Sequence, residues 1–250
     1  MDQIFPSLPA PASVAVIGAG RLGGVLARAL RAAGLDVHGP LRRGDGIPEV
    51  GIALLCVPDA AIADAALVAK PRARFVGHVS GATPLNGIDF SIHPLQTFTG
   101  EETPNVFHGI GCAIDARSHE ALTIATSLAE LLGARVFRVD DAHRAEYHAA
   151  ASFASNFVLT VLDAAEQLAA SAGIDGDDAR DLLAPLVRRT VDNWQRNGST
   201  ASLTGPIARG DEATVARQRG AVDDTDPELT PLFDKLALAT RSIARQKATA

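Results

Sequence analysis

The stretch SVAVIGAGRLGG, Ser13 to Gly24, decides how this chain folds. Ser13–Ile17 is a short, β-branched apolar run ending in glycine, the pattern of a strand. Arg21–Ala33 follows with Leu22, Val25, Leu26, Ala29 and Leu30 at helical spacing, and Gly34 ends that helix. Between them Gly18-Ala19-Gly20-Arg21-Leu22-Gly23 spells GxGxxG. Alone the pattern is weak. After a strand and at the mouth of a helix it is the phosphate turn of a dinucleotide site. Gly18 permits the tight turn, Gly20 lets backbone approach a pyrophosphate, and Gly23 lets helix and strand pack closely. The helix start adds free N–H groups and a positive dipole end. The plainer alternative is a glycine turn that binds nothing.

Outward from this turn, apolar runs alternate with helical spacing. Leu35–His38 reads as a second strand, Val50–Val57 as a third, Phe75–Val79 as a fourth, with a weaker run at Gly111–Ile114. His119–Leu132 is a helix and Ala134–Val139 a strand after it. Such alternation implies right-handed βαβ units, hence an α/β fold of Rossmann type with a doubly wound, mainly parallel sheet. Beyond about Asp141 no strand is legible. Ala142–Ala172, Asp177–Arg196 and Pro227–Gln246 carry helical spacing, and STASLTGPIARGD is a polar loop between the last two. The expected organisation is a dinucleotide-binding domain over 1–140 and an all-helical substrate and dimerisation domain over 141–250.

Composition narrows the function. The 250 residues suffice for a real core. Aromatic residues are 4% and the net charge is −6, a poor match to base stacking or to a nucleic-acid surface. No run of about 18 apolar residues suggests a membrane span. MDQIFPSLPAPAS lacks the basic start and apolar centre of a signal peptide. Cys56 and Cys112 lie in apolar runs without a CxxC spacing and read as buried reduced thiols, which fits the cytoplasm.

The second strand's end bears on the nucleotide. NAD sites usually carry Asp or Glu there for the ribose 2′-hydroxyl. Here the chain reads His38-Gly39-Pro40-Leu41-Arg42-Arg43. Two guanidinium groups in place of a carboxylate favour a 2′-phosphate, hence NADP, although Asp45 is near and the arginines are also explicable as solvated loop charges. FAD sites usually need the missing carboxylate. Ligands of such sheets bind beyond the carboxyl ends of the strands. That places Val57-Pro58-Asp59 and His78-Val79-Ser80-Gly81 at the cofactor crevice.

Taken together, GAGRLG, VPD, HVSGA, HPLQTF and LTGPIARGD resemble one Rossmann-like family whose helical second half is a domain of unknown function. It belongs to the clan of 6-phosphogluconate dehydrogenase, β-hydroxyacid dehydrogenases and pyrroline-5-carboxylate reductase. The resemblance spans nearly the whole chain and implies an NADP-dependent oxidoreductase that forms a homodimer. It extends to an alternative type of ketopantoate reductase. Val79-Ser80-Gly81 matches the clan's substrate turn, in which serine and backbone groups hold a carboxylate. Asn156 matches the asparagine of its Lys-x-x-x-Asn helix, but Ser152 stands where the lysine belongs, so that proton donor is absent.

Replacements lie nearby. His148, Ser152 and Asn156 are spaced i, i+4, i+8 and share one face of a continuous helix. His148 is the expected proton donor, Asn156 the group orienting the carbonyl, and His93 a further catalytic candidate. Ser80, Gly81, His78, Gln96, Tyr147, Ser152 and Arg209 are expected to bind an anionic substrate, Arg209 by gripping a carboxylate. Each has a plain alternative: structural histidines, a turn-forming Ser80, and Asp211 as a helix cap beside Arg209. His93, His143 and His148 lack the tight spacing of metal ligands. Three functions follow: an NADP-dependent reductase of a small 2-oxo acid such as ketopantoate, an imine or pyrroline-type reductase, or an NADP-binding sensor without turnover.

Overall fold

The computed structural model describes residues 13–249. The signal-peptide reading concerns residues mostly outside that range. The chain falls into two units, the first ending at Ser155 and the second beginning at Asn156.

The first unit is a seven-stranded sheet. Its strands are β1 (Ser13–Ile17), β2 (Asp36–Leu41), β3 (Val50–Leu55), β4 (Ala73–His78), β5 (Phe90–Pro94), β6 (Gly111–Ala116) and β7 (Arg135–Arg138), in the order β2-β1-β3-β4-β5-β6-β7. β1 to β5 run parallel, and β6 and β7 run against them. Helices α1 (Arg21–Ala32), α2 (Ile62–Ala69) and α3 (His119–Leu131) supply the layers, and α4 (Arg144–Ala154) closes the unit. Alternation along the strands explains the double winding. Val14, Val16, Ile52 and Leu54 join one core with Leu26, Leu30, Ile124 and Leu128. Ile17, Ala53 and Leu55 join the other with Ile62, Ala66 and Ala69. The sheet is therefore covered on both faces, the Rossmann arrangement.

The second unit is all helix among the described residues: α5 (Asn156–Ser171), α6 (Gly176–Ser202), α7 (Pro206–Arg209), α8 (Glu212–Thr225) and α9 (Thr230–Thr249). Gly198, at φ 75° and ψ 173°, interrupts α6. Few of its side chains are fully buried, among them Ala179, Val215, Val222 and Ala237. No helix among the described residues is long and apolar enough to cross a membrane.

Four expectations need correction. The second strand does not stop at His38. It continues through Gly39 and Pro40 to Leu41, with an irregular register between Ala15 and Ile17 of β1. β5 is an additional strand, joined to β4 without an intervening helix. The helix expected over 142–172 is broken at Ser155, where the backbone leaves helical geometry at φ −132° and ψ −76°. Finally, the expected loop STASLTGPIARGD is mostly helical at its ends, containing the close of α6 and all of α7. The first unit takes in α4 and ends at Ser155.

Candidate active site

The end of β1 is gripped on both sides. Gly18 N–H donates to the Leu41 carbonyl (2.8 Å) and Cys56 N–H to the Ile17 carbonyl (2.7 Å). Gly18 has φ +116°, and a Cβ there would strike the Cys56 carbonyl; a Cβ on Gly23 would strike the Gly18 carbonyl. These two glycines are dictated by packing. Gly20 differs: nothing lies within 4 Å of where its Cβ would stand. It is the N-cap of α1, with no side-chain cap and no acid in the first turn. Among the described residues the start of α1 has no N-cap side chain, and the space beside Gly20 is open, a fitting cradle for a pyrophosphate.

A cleft of about 530 Å³ is lined by Gly18 and Ala19 of this turn and by Arg42 and Arg43 after β2. Ile47, Val57, Ala65 and Val68 form apolar walls suited to a flat base. Both arginines are exposed, and neither guanidinium forms an ion pair among the described residues. The Asp45 carboxylate instead accepts the Arg42 backbone N–H (2.7 Å) and so fixes the turn. Arg21, Leu22, Pro58 and Asp59 lie at the same strand ends but do not line this cleft.

The second cluster lies at the ends of β4 and β5. His93 Nδ1 and the Tyr147 hydroxyl are 2.6 Å apart, with the rings edge to face at 5.5 Å between centroids. His148 lies edge-on to His93 at 6.3 Å, and Phe137 of β7 packs on Tyr147 at 5.9 Å. Gly81 is required here, since a Cβ would come within 2.9 Å of the His93 ring. Burial pushes His93 down to about 4, aided by His148 and Arg144 and opposed by Asp59. Burial also pushes the Tyr147 hydroxyl up to about 12. His93 is thus neutral and Tyr147 protonated across the physiological range. His148 is exposed on the same helix turn.

Other candidates have more local roles. Ser80 Oγ accepts the N–H groups of Ala82 (3.1 Å) and Thr83 (2.9 Å) and donates to Thr83 Oγ1 (3.0 Å), so its hydrogen bonds serve its own turn. His78 is fully buried, and its Nδ1 accepts the Ser80 N–H (3.2 Å). Gln96 is exposed and folds back on the Thr97 N–H (2.9 Å). The break at Ser155 divides the face expected for His148, Ser152 and Asn156: the first two lie on α4, whereas Asn156 opens α5 in the second unit. There too, Arg209 ends α7, and Asp211 caps α8 by accepting the Thr214 N–H (3.0 Å). Cys56 is only partly buried, unlike Cys112. Among the described residues no three His, Cys, Asp or Glu side chains converge as metal ligands.

Comparison with known proteins adds a family and a fold. The family model described as a domain of unknown function (DUF2520) matches residues 110–240. No curated protein matches the chain. Among solved structures, a candidate NADP oxidoreductase from Bacteroides fragilis is 23% identical, with a TM-score of 0.79, covering 92% of this chain and 98% of its own. A Thermotoga maritima protein is 22% identical (TM-score 0.73; 94% and 99% covered). Pyrroline carboxylate reductase from Plasmodium falciparum, with NADP bound, is 10% identical (TM-score 0.55; 93% and 99% covered).

Proposed function

The chain belongs to the DUF2520 family, and from that premise we propose that it is an NADP-dependent oxidoreductase acting on a small anionic substrate. One observation carries the reading: a single cleft is lined both by Gly18 and Ala19 of the glycine-rich turn and by two arginines that form no ion pair among the described residues. Gly18, Ala19 and Gly20 would hold the pyrophosphate, Arg42 and Arg43 a 2′-phosphate, and Val57 the base. A bound reduced nicotinamide supplies a hydride. The resemblance to the Bacteroides and Plasmodium proteins supports the same class.

Reduction of a C=O or C=N group also needs a proton donor. The His93–Tyr147–His148 cluster is assigned that role. With His93 as the Nδ1–H tautomer, its ring donates to the Tyr147 oxygen and leaves the hydroxyl hydrogen free for the substrate. His148, facing water, resupplies the proton. Backbone groups around Gly81 are assigned to the substrate carboxylate, with Ser152 and Gln96 as further contacts. A 2-oxo acid, ketopantoate among them, and a cyclic imino acid are both suitable substrates.

The test is a nucleotide titration by fluorescence, followed by NADPH oxidation with a panel of 2-oxo and cyclic imino acids. NADPH should bind more tightly than NADH, and Arg42→Ala and Arg43→Ala together should weaken NADPH by about tenfold or more through lost charge-assisted bonds. Equal affinities for the two nucleotides would sink the NADP assignment. Tight binding without turnover on any panel member would favour the sensor.

A further inference from the structure

Ser91 and His93 are two residues apart on β5 and project from the same face of the strand. Arg144 and Tyr147 are three apart on α4 and lie one turn apart on the same side. The four residues meet as two rungs. Arg144 Nη2 donates to Ser91 Oγ at 2.6 Å, and one turn along Tyr147 meets His93 Nδ1, also at 2.6 Å. The first rung is braced from two sides. Arg144 Nε donates to Asp141 Oδ1 (2.6 Å), and the Asp141 carboxylate accepts the Leu85 N–H (3.1 and 3.2 Å), tying the turn after β4 to the start of α4. Asp115 Oδ2 lies 4.0 Å from Arg144 Nη2, while its Oδ1 accepts from Arg138 (3.2 Å).

Arg144 is only 4% exposed. A desolvated guanidinium is costly unless paired, and this one is paired along one edge, Nε with Asp141 and Nη2 with Ser91. The fork has fixed donor angles, so engaging Ser91 and Asp141 together sets both the height and the rotation of α4 on β5. We propose that Arg144 is a positioning residue: the Arg144–Ser91 rung sets the geometry in which Tyr147 meets His93. The proposal rests on reading that pair as the proton-handling end of a reductase site, where a displacement of about 1 Å is costly. The charge has a second effect. The groups facing His93 are Tyr147, His148 and Arg144 on α4 and Asp59 after β3, with the Gly81 backbone against the ring. Arg144 and His148 disfavour a proton on His93, and Asp59 favours one.

The test uses the full chain with isotopically labelled histidine. The readout is how far Tyr147→Phe moves the His93 Nδ1 resonance in the parent, Ser91→Ala, Arg144→Lys and Arg144→Met backgrounds. If the rung positions the pair, the Tyr147→Phe effect should drop by about half or more in all three variants, as expected for coupled neighbours. The His93 titration midpoint should rise in Arg144→Met by about one unit, the low end of what a neighbouring charge produces, and stay near the parent's in Arg144→Lys. NADPH affinity should stay within about twofold, since none of these residues lines the nucleotide cleft. An undiminished Tyr147→Phe effect in Ser91→Ala and Arg144→Lys overturns the proposal, and those two variants decide it should Arg144→Met not fold. Failure of the parent to bind NADPH or turn over the panel would instead count against the reductase reading and leave the resonance test in force.

Discussion

Two glycines of one motif answer to different forces. Gly23 has no room for a methyl group because the Gly18 carbonyl occupies the place. Gly20 has room, and its φ of −75° suits any residue. Gly23→Ala is therefore expected to destabilise the protein by about 1–3 kcal/mol, as overpacking does, and to lower its melting temperature. Gly20→Ala should melt like the parent yet bind NADPH at least tenfold more weakly, about 1.4 kcal/mol, because only a ligand needs that space. Melting curves beside nucleotide titrations check both, and a parent-like affinity for Gly20→Ala would remove the pyrophosphate from this turn. At the other cluster, Tyr147→Phe keeps the ring edge-to-face with His93 and Phe137 and removes one hydroxyl. Turnover should fall about 10²-fold or more, the usual cost of a lost general acid, with NADPH affinity unchanged. His148→Ala should fall less if water can reach Tyr147 without it.

At the scale of elements, the end of β4 stores an acid sensitivity. His78 is fully enclosed there, and burial, followed by Arg144, pushes it down to about 4, against partial opposition from Asp59 and Asp141. The unfolded chain takes up that proton near pH 6.5. Between these values the unfolded state binds more protons, so stability is fully present above about 6.5 and is lost as pH falls toward 4. The loss from His78 is on the order of 3 kcal/mol at the acid end. His93 adds a loss in the same window. Melting temperatures from pH 7 to 4.5 should fall more steeply for the parent than for His78→Gln, and equal slopes would contradict the account. Elements also mark where sequence reading stops. The GxGxxG turn was legible because strand, glycines and helix each carry a local pattern. FSIHP of β5 was not, since it is short, mixes Ser91 and His93 with apolar residues, and follows no helix. The break at Ser155 carries neither Gly nor Pro. Burial of Arg144 depends on Ser91 and Asp115, which are near it only in space, as well as on Asp141 three residues before it. Tyr147 was legible as a neighbour of His148, but its contact with His93 was not.

At the scale of the molecule, the second unit leaves much apolar side chain in water. Leu182 and Leu186, one turn apart on α6, are each 65% exposed, and Trp194 is 56% exposed. Leu159 and Leu238 are similarly open. Single exposed apolar residues are ordinary, but several on neighbouring helices ask for a cover. A second copy of the chain is the expected one. Light scattering should give about twice the 25.9 kDa chain mass, and Leu182→Glu with Leu186→Glu should return it to one. A parent that is monomeric at micromolar concentration would remove the dimer. The sheet in the first unit has its own consequence for how the protein is made. After β2, each strand pairs on one advancing side: β3 beside β1, then β4, β5, β6 and β7 in turn. A chain emerging from the ribosome can therefore add strands in the order in which they are translated, without reopening a finished pair. His93 of β5 is already in the sheet before α4 arrives with Tyr147, so the partner synthesised last is the one that completes the pair.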